Sequence, residues 1–359
     1  MTRYSLESLS ETILQASGLE ELAAMREEVL EYAHDRAFLF TANAADEQRA
    51  VNAWHDCLIR RVLELTEQEM TYSGAGAPPA EYDFVLFGSG GRKEQTLWSD
   101  QDNGIVYANP QGREEAGRLR IYFLEFGKRL SEALARVGYP PCEGEVLCRN
   151  ERWCKPLAEW EDEISGWYRD PTWEHVRYLL ITADMRCLAG RGEWTGRIRR
   201  KILDGLKQDR SAAGRLLENT LRHKMLVGIF GQFLKERYGE GAGGIDIKYG
   251  AYIPFVNGIR LLSMLHGVDR TPTLERLQML EEIGAVSPLM AKEWREAFSL
   301  FIDLRARTMH RREGSVWTSN GTIKLDRLSK NEVRALKIHL KTGKALQRFV
   351  KLSVDRYRE

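Results

Sequence analysis

A glycine-rich segment and two aspartates lie close together in the sequence. In proteins, glycine-rich turns often bind phosphate groups, and neighbouring aspartates often bind cations. In FGSGGRKEQTLWSDQDNGIVY, residues 87–107, Gly88, Gly90 and Gly91 would let backbone N–H groups approach a ligand without a Cβ atom in the way. Ser89 adds a hydroxyl donor at what we expect to be the start of a helix. We interpret the segment as a phosphate cradle, although it has neither the Walker GK[ST] ending nor GxGxxG spacing.

Asp100 and Asp102 are separated by one residue at the start of a predicted strand. Their carboxylates therefore point to the same face, with Cα atoms about 6.5 to 7 Å apart, and repel each other unless a cation lies between them. Mg²⁺ is usually shared between one or two carboxylates and substrate phosphates, so the pair beside a cradle predicts a magnesium or manganese site. Taken alone, such a pair is more typical of a solvated turn.

Short apolar runs and helical periodicity predict the elements that position these residues. FVLFGS (84–89) and NGIVYAN (103–109) are predicted strands, and EGEVLC (143–148) is a candidate third strand. Apolar residues at helical spacing predict helices over 44–70 and 113–137. Strand, short helix, strand, long helix and strand indicate a small α/β unit with a helix across one face of the sheet.

The whole chain is predicted to be α+β and mostly helical, in three domains. Residues 1–78 form N-terminal helices, and a Gly- and Pro-rich stretch marks their end. Residues 79–190 hold the small mixed sheet. Residues 191–359 form a helical bundle whose last helix is opened by a capping box of Ser329 and Glu332.

The order of GS, a short helix and two aspartates on the next strand resembles the DNA polymerase β nucleotidyltransferase superfamily. The stretch from Gly88 to Tyr107 is similar to the DUF294-type nucleotidyltransferases, which are related to the N-terminal domain of the PII uridylyltransferase. ITADMRCLAG (181–190) and IDIKYGAYIPFVNGIRLL (245–262) resemble later blocks of that family and its helical substrate-binding domain. The resemblance implies a small mixed-sheet nucleotidyltransferase core flanked by N-terminal helices and a C-terminal helical bundle.

The resemblance also implies a role for each residue of the motif. Three cradle residues would hold a nucleoside triphosphate: Gly88, Ser89 and Gly90. Arg92 would neutralise phosphate charge, and we expect Glu94 to hold Arg92 as a structural hydrogen-bond acceptor. Asp100 and Asp102 would be catalytic, binding the metal ions that align an attacking hydroxyl with the α-phosphate.

The superfamily usually has a third carboxylate that acts as a metal ligand or general base. We choose Glu145, with Glu143 and Asp184 as alternatives; without a third carboxylate, the fold would bind nucleotide and not transfer it. Lys248 is the cation chosen to bind the nucleotide or acceptor, and we expect it to point into the cleft with the aspartates. A cation of this kind, taken alone, is more typical of an ion-pair partner.

Charge is almost balanced over the whole chain, with 53 Lys and Arg against 52 Asp and Glu, which argues against a strongly polyanionic partner. Residues 324–359, however, carry 11 Lys or Arg against four Asp or Glu, and the cations of the final helix follow one face. Such a face is usually only solvated. The alternative is that this face binds an acidic partner or nucleic acid.

Cysteine usage and hydropathy predict the compartment. The five cysteines include no CxxC pair, which favours reduced thiols over disulfides or a zinc site. No apolar run approaches the roughly 20 residues of a membrane-spanning helix, and the first residues lack a secretory signal. We therefore expect a cytoplasmic protein that does not associate with membranes.

Three functions remain as hypotheses. The leading one is an enzyme that uses Mg²⁺ or Mn²⁺ to move UMP or AMP from a nucleoside triphosphate to a hydroxyl, with a PII-like regulatory protein as the candidate acceptor. The alternative is a catalytically inactive nucleotide-binding module that signals through a partner. Nucleic-acid binding through the final helix is the least favoured.

Overall fold

The computed structural model describes residues 6–35, 44–226, 228, 233–234, 243–313 and 316–359. The chain forms two compact units, each made of several segments. The first comprises Met1–Ser165, Asp184–Lys201 and Arg312–Trp317, and the second comprises Gly166–Ala183, Ile202–Arg311 and Thr318–Glu359. In the described part of the chain, no helix is long and apolar enough to cross a membrane.

Helices make up most of both units. In chain order they are α1 (Leu6–Gln15), α2 (Leu19–Asp35), α3 (Ala44–Tyr72), α4 (Gly88–Gly91), α5 (Arg113–Arg136), α6 (Leu157–Arg169), α7 (Trp173–Thr182), α8 (Glu193–Gln208), α9 (Ala212–Thr220), α10 (Ile253–Leu265), α11 (Thr273–Glu282), α12 (Pro288–Ala306) and α13 (Lys330–Arg358). The strands are β1 (Tyr82–Leu86), β2 (Asn103–Tyr107), β3 (Cys154–Pro156), β4 (Arg186–Ala189), β5 (Ile245–Asp246), β6 (His310–Glu313), β7 (Val316–Ser319) and β8 (Thr322–Ile323).

The first unit is built on a four-stranded mixed sheet in the order β3-β2-β1-β4. β1 runs antiparallel to β2 and to β4, whereas β3 runs parallel to β2. Leu86 at the end of β1 pairs with both Asn103 and Arg186, so β2 and β4 flank the end of β1 from which α4 begins. The small mixed sheet in a largely helical chain confirms the predicted α+β, mostly helical class.

The predicted helix over 113–137 is confirmed as α5, and its apolar stripe forms much of the core of the first unit. The stripe residues recur at helical spacing and are all buried: Leu119, Phe123, Phe126, Leu130 and Leu134. The Phe123 ring stacks on Tyr107 of β2, with the ring centroids 4.4 Å apart. α5 therefore covers one face of the sheet, as the order of elements predicted.

The prediction of a strand over 143–148 is wrong. That segment is a series of turns, and the edge strand is β3, beginning at Cys154. Glu145 has a φ of 52°, which lies in the left-handed region and cannot continue a strand. The segment still contacts the start of β2, because Asn103 N–H donates to the Val146 carbonyl at 2.9 Å.

The second unit is a helical bundle around α10, in which nearly every residue is buried. α13 packs on it closely: a Cβ atom at Gly258 would lie 3.3 Å from Leu346 and 3.4 Å from Val350. The capping box predicted at Ser329 and Glu332 is confirmed, with both of its reciprocal hydrogen bonds formed. The three domain limits drawn from the sequence stay a prediction.

Two glycines of α5 test how tightly this helix is packed. A Cβ atom at Gly127 would lie 2.2 Å from the Cys148 carbonyl oxygen, whereas one at Gly117 would meet nothing within 4 Å. Gly127→Ala should lower the free energy of unfolding by about 1 to 3 kcal/mol through overpacking. Gly117→Ala should raise it by about 0.5 to 1 kcal/mol. Urea denaturation of both variants measures these changes, and a Gly127 variant as stable as the Gly117 variant would contradict this packing.

Candidate active site

The glycine-rich turn lies directly against the Asp102 carboxylate. α4 follows Phe87 at the end of β1, and Phe87 N–H donates to the Asp102 carbonyl at 2.9 Å. Gly88 has a φ of 52°, and a Cβ atom on it would lie 2.4 Å from Asp102 Oδ2. Only glycine satisfies both conditions. The structure therefore brings together the cradle and the aspartates that the sequence singled out.

Asp100 and Asp102 lie just before β2 and not within it. Both are half-exposed, and they line one pocket together with Ser89 and Gly90. Two accessible carboxylates beside a turn that would bind phosphates form the donor set that Mg²⁺ uses, with water and substrate oxygens as its remaining ligands. The residues present fit a magnesium ion, which Asp100 and Asp102 would hold.

Arg92 follows the cradle and is buried between two carboxylates. Its Nε donates to Glu94 Oε2 at 2.7 Å, and Nη1 donates to Asp184 Oδ2 at 2.6 Å. Arg92, Glu94 and Asp184 are 4%, 3% and 0% exposed, so all three charges are removed from water. Glu94 holds Arg92 as expected, and the predicted contact of Arg92 with phosphate stays a prediction.

Polar residues of α3 hold the connection between the cradle and the aspartates. The Asn52 side-chain oxygen accepts from Gln95 N–H at 3.0 Å, and the Gln48 amide donates to the Gln95 carbonyl at 2.7 Å. His55 Nε2 lies 3.0 Å from the Thr96 carbonyl oxygen. Sequence reasoning missed these three α3 residues. Their spacing on one helical face was a signal, but solvated helix faces show the same spacing.

Glu145, the predicted third carboxylate, is exposed, and its two oxygens accept from Arg149 Nη2 at 3.0 and 2.9 Å. Of the alternatives, Glu143 is exposed and Asp184 is bound to Arg92. Across the described ranges, no group of three or more His, Cys, Asp or Glu side chains is arranged to hold a metal ion. The catalytic role of Glu145 stays a prediction.

Cys142, one of the five thiols expected to be reduced, is a further neighbour of the aspartates. Its Sγ accepts from Val146 N–H at 3.1 Å. Burial, followed by the charge of Asp102, raises the pKa of this thiol well above its usual value. The thiol therefore stays protonated beside Asp102.

The remaining predicted residues belong to the second unit. Lys248 follows β5 and is half-buried, with its Nζ 5.1 Å from the centre of the Tyr249 ring. Its backbone N–H donates to the Gly321 carbonyl at 3.3 Å. The predicted role of Lys248 toward the nucleotide or acceptor stays a prediction.

The basic face predicted for the final helix lies on α13. Most of its seven cations are exposed, and Lys344 is half-buried. They are Lys330, Arg334, Lys337, Lys341, Lys344, Arg348 and Lys351. The eighth cation predicted for this face, Arg327, lies in a short turn before the helix. The opposite face carries the buried apolar residues of the helix, so the cations face away from the core.

Two parts of the chain match known protein families. Residues 29–174 match the family described as Putative nucleotidyltransferase DUF294, and residues 210–354 match the one described as Putative nucleotidyltransferase substrate binding domain. The chain belongs to the DUF294 nucleotidyltransferase family. A comparison with curated proteins finds no match.

Membership of the DUF294 family agrees with the geometry of the site. The nucleotidyltransferase match contains the cradle, the two aspartates and all of α3, whereas the substrate-binding match contains Lys248 and most of α13. Proteins of the nucleotidyltransferase class act on nucleoside triphosphates and generally use divalent metals. The family therefore supports an enzyme of this class.

His55 lies within this site region and gives the protein a pH-dependent stability. Burial, with a contribution from Arg26, lowers the pKa of His55 to about 3. In the unfolded chain its pKa is about 6.5, so between pH 6.5 and pH 3 the unfolded state binds the extra proton. The free energy of unfolding should therefore fall as the pH falls through that window, by up to about 1.4 kcal/mol per pH unit from this residue.

Urea denaturation at several pH values tests this dependence. His55→Gln should lose that part of the slope, because glutamine does not titrate. The wild-type protein measured at the same pH values is the reference. A His55 variant with the wild-type slope would show that the imidazole does not stay neutral in the fold.

Proposed function

We propose that this protein transfers UMP or AMP from a nucleoside triphosphate to a hydroxyl group of an acceptor, with Mg²⁺ or Mn²⁺. The observation that supports this most directly is the contact between Gly88 and Asp102. This contact puts a turn that is suited to bind phosphate next to a pair of carboxylates that is suited to bind a cation. Neither feature alone would indicate transfer chemistry.

In this proposal, each residue of the turn and the pair acts on the triphosphate. The first amides of a helical turn have no acceptor within the helix, so those of Gly88, Ser89 and Gly90 are suited to bind phosphate oxygens. The metal held by Asp100 and Asp102 would neutralise phosphate charge and orient the α-phosphate. Arg92 is also proposed to contact a phosphate, and its guanidinium is held in place by its ion pairs with Glu94 and Asp184.

The transfer itself exchanges one phosphorus–oxygen bond for another. The acceptor hydroxyl oxygen bonds to the α-phosphorus, the bond from the α-phosphorus to the bridging oxygen breaks, and pyrophosphate leaves. The hydroxyl proton goes to a base, for which Glu145 is the proposed residue. Glu145 must leave Arg149 to act in this way, and its exposed position allows that movement.

We further propose a protein acceptor, such as a PII-like regulator, that docks on the basic face of α13. Charge complementarity supports an acidic surface on that partner, because successive cations on this face are three or four residues apart and repel one another. An acidic partner relieves that repulsion. Lys248 is proposed to contact the nucleotide or the acceptor.

One observation favours a second function, a catalytically inactive nucleotide-binding module. No third metal-ligating side chain accompanies Asp100 and Asp102 within the part of the chain that the structure describes. Two carboxylates are enough to bind Mg²⁺ with a nucleotide, whereas transfer also needs a base for the hydroxyl proton. Release of pyrophosphate in the presence of an acceptor separates transfer from binding.

The double variant Asp100→Asn with Asp102→Asn tests the metal site. It should weaken Mg²⁺-dependent binding of ATP or UTP at least tenfold, about 1.4 kcal/mol. Thermal stability should stay the same or rise slightly, because two neighbouring like charges are removed. Calorimetry with and without Mg²⁺ measures the affinity, and Asp162→Asn on the exposed face of α6 is the control. Unchanged Mg²⁺-dependent affinity in the double variant would refute the assignment.

A charge-reversal variant tests the docking face. Lys341→Glu with Lys344→Glu should reduce labelling of an acceptor at least fivefold when the enzyme is incubated with each radiolabelled nucleoside triphosphate and host lysate. Nucleotide affinity should not change, since these residues bind the partner and not the triphosphate. A labelled product destroyed by ribonuclease and not by protease would show a nucleic-acid acceptor, contrary to the proposal.

A further inference from the structure

We propose that Asp56 of α3 and Arg186 of β4 are positioning residues that orient the cradle through the Gly90 carbonyl. The inference rests on the proposed function, because it concerns how the nucleotide site is held in shape. Arg186 Nη1 and Nη2 donate to the two Asp56 carboxylate oxygens at 2.9 and 2.8 Å. The same guanidinium donates from Nε and Nη2 to the Gly90 carbonyl at 3.1 and 2.8 Å.

This guanidinium is well placed to control α4. The side chains of Arg186 and Asp56 are only 13% and 20% exposed, so water competes weakly for their hydrogen bonds. A bidentate arginine–carboxylate pair is directional, which fixes the plane of the guanidinium. The remaining donors of Arg186 are thereby aimed at Gly90.

α4 needs such support because it is a single turn of four residues. One helical turn is unstable by itself, since few hydrogen bonds offset the loss of backbone freedom. The Gly90 carbonyl accepts one backbone hydrogen bond, from Lys93 at 3.3 Å, besides those from Arg186. Arg186 therefore holds the last residues of the turn, while Gly88 at its start lies against Asp102.

The hydrogen bonds to Gly90 distinguish positioning from simple tethering. An ion pair that only joined α3 to β4 would need no contact with the cradle. Loss of the Arg186 donors should let the turn rotate, which moves the amides of Gly88 and Ser89 away from the phosphate positions. Nucleotide affinity should then fall even where the fold remains stable.

The test uses two variants and one control in the full chain. Arg186→Met with Asp56→Leu replaces the pair with apolar side chains of similar size, an exchange that often leaves stability nearly unchanged. Asp56→Asn keeps Arg186 but removes the charge that orients it. Arg191→Gln is the control, because Arg191 forms an exposed ion pair with Glu81 at the other end of β4.

The dissociation constant for ATP or UTP with Mg²⁺ should rise at least tenfold in the double variant and about threefold in Asp56→Asn, and stay unchanged in the control. Amide hydrogen exchange at Gly91 and Arg92, whose N–H groups donate to Phe87 and Gly88, should become at least tenfold faster in the double variant. Exchange in α13 should not change. Wild-type exchange at Gly91 and Arg92 in a stable double variant would overturn the proposal.

The outcomes separate this inference from the proposed function. If the wild-type protein binds no nucleoside triphosphate, the proposed function fails, and the exchange rates at Gly91 and Arg92 still decide whether Arg186 holds the turn. If the double variant unfolds at a lower temperature than the wild type, the Asp56→Asn variant is used instead, at a temperature where it is fully folded. Its nucleotide affinity and its amide exchange at Gly91 and Arg92 then decide whether the ion pair orients the turn. Wild-type affinity in both variants refutes the positioning role.

Discussion

The buried guanidinium of Arg92 is the interaction on which the rest of the site depends. A charge removed from water is tolerated only when it is paired and hydrogen-bonded, and Glu94 and Asp184 supply two carboxylates within 2.7 Å. Asp184 lies 92 residues after Arg92 and two residues before β4. The ion pair therefore joins the turn after the cradle to the chain that enters the sheet at β4. Removing either carboxylate would leave a buried charge without full compensation.

The glycines of α4 allow close packing that adds to the effect of the Arg92 ion pairs. A Cβ atom at Gly91 would lie 2.0 Å from the Asp184 carbonyl oxygen, so the turn packs directly on the backbone before β4. At the start of the turn, a Cβ atom at Gly88 would lie 2.4 Å from the Asp102 carboxylate. Close packing thus confines α4 between the backbone before β4 and the Asp102 side chain, and hydrogen bonds need only set its orientation. Because three of its four residues are glycines, the turn can pack this closely and serve as a rigid element.

That the glycine-rich turn lies beside the two aspartates could be predicted from the sequence, because the two segments are separated by only a few residues. The same is true of α5, whose apolar stripe is long and regular, and of the capping box at Ser329. By contrast, β3 and β4 contain only three and four residues, and their pairing depends on contacts with distant segments. The segment 143–148 ends in three apolar residues that favour a strand, Val146, Leu147 and Cys148. The left-handed conformation of Glu145 prevents the segment from pairing regularly with a neighbouring strand.

The contribution of α3 could not be predicted for a different physical reason. Gln48, Asn52 and His55 contact backbone groups of Gln95 and Thr96, so no complementary pair of side chains marks the contact in the sequence. Asp56 does have a side-chain partner, but Arg186 follows it by 130 residues. Polar residues on one face of a helix usually indicate solvent. Only the fold shows that this face is directed at the site.

Support through the backbone has a consequence for nucleotide binding. Ordering one residue costs about 1 to 2 kcal/mol in backbone entropy, and the connection from the cradle to Asp100 contains several residues. The contacts from α3 and the ion pairs of Arg92 with Glu94 and Asp184 offset that cost during folding, before any ligand binds. Binding energy from the triphosphate is then not consumed in ordering the connection. Asp100 and Asp102 are half-exposed and by themselves would repel a triphosphate. In the proposed function, a cation between these carboxylates and the phosphates removes that repulsion.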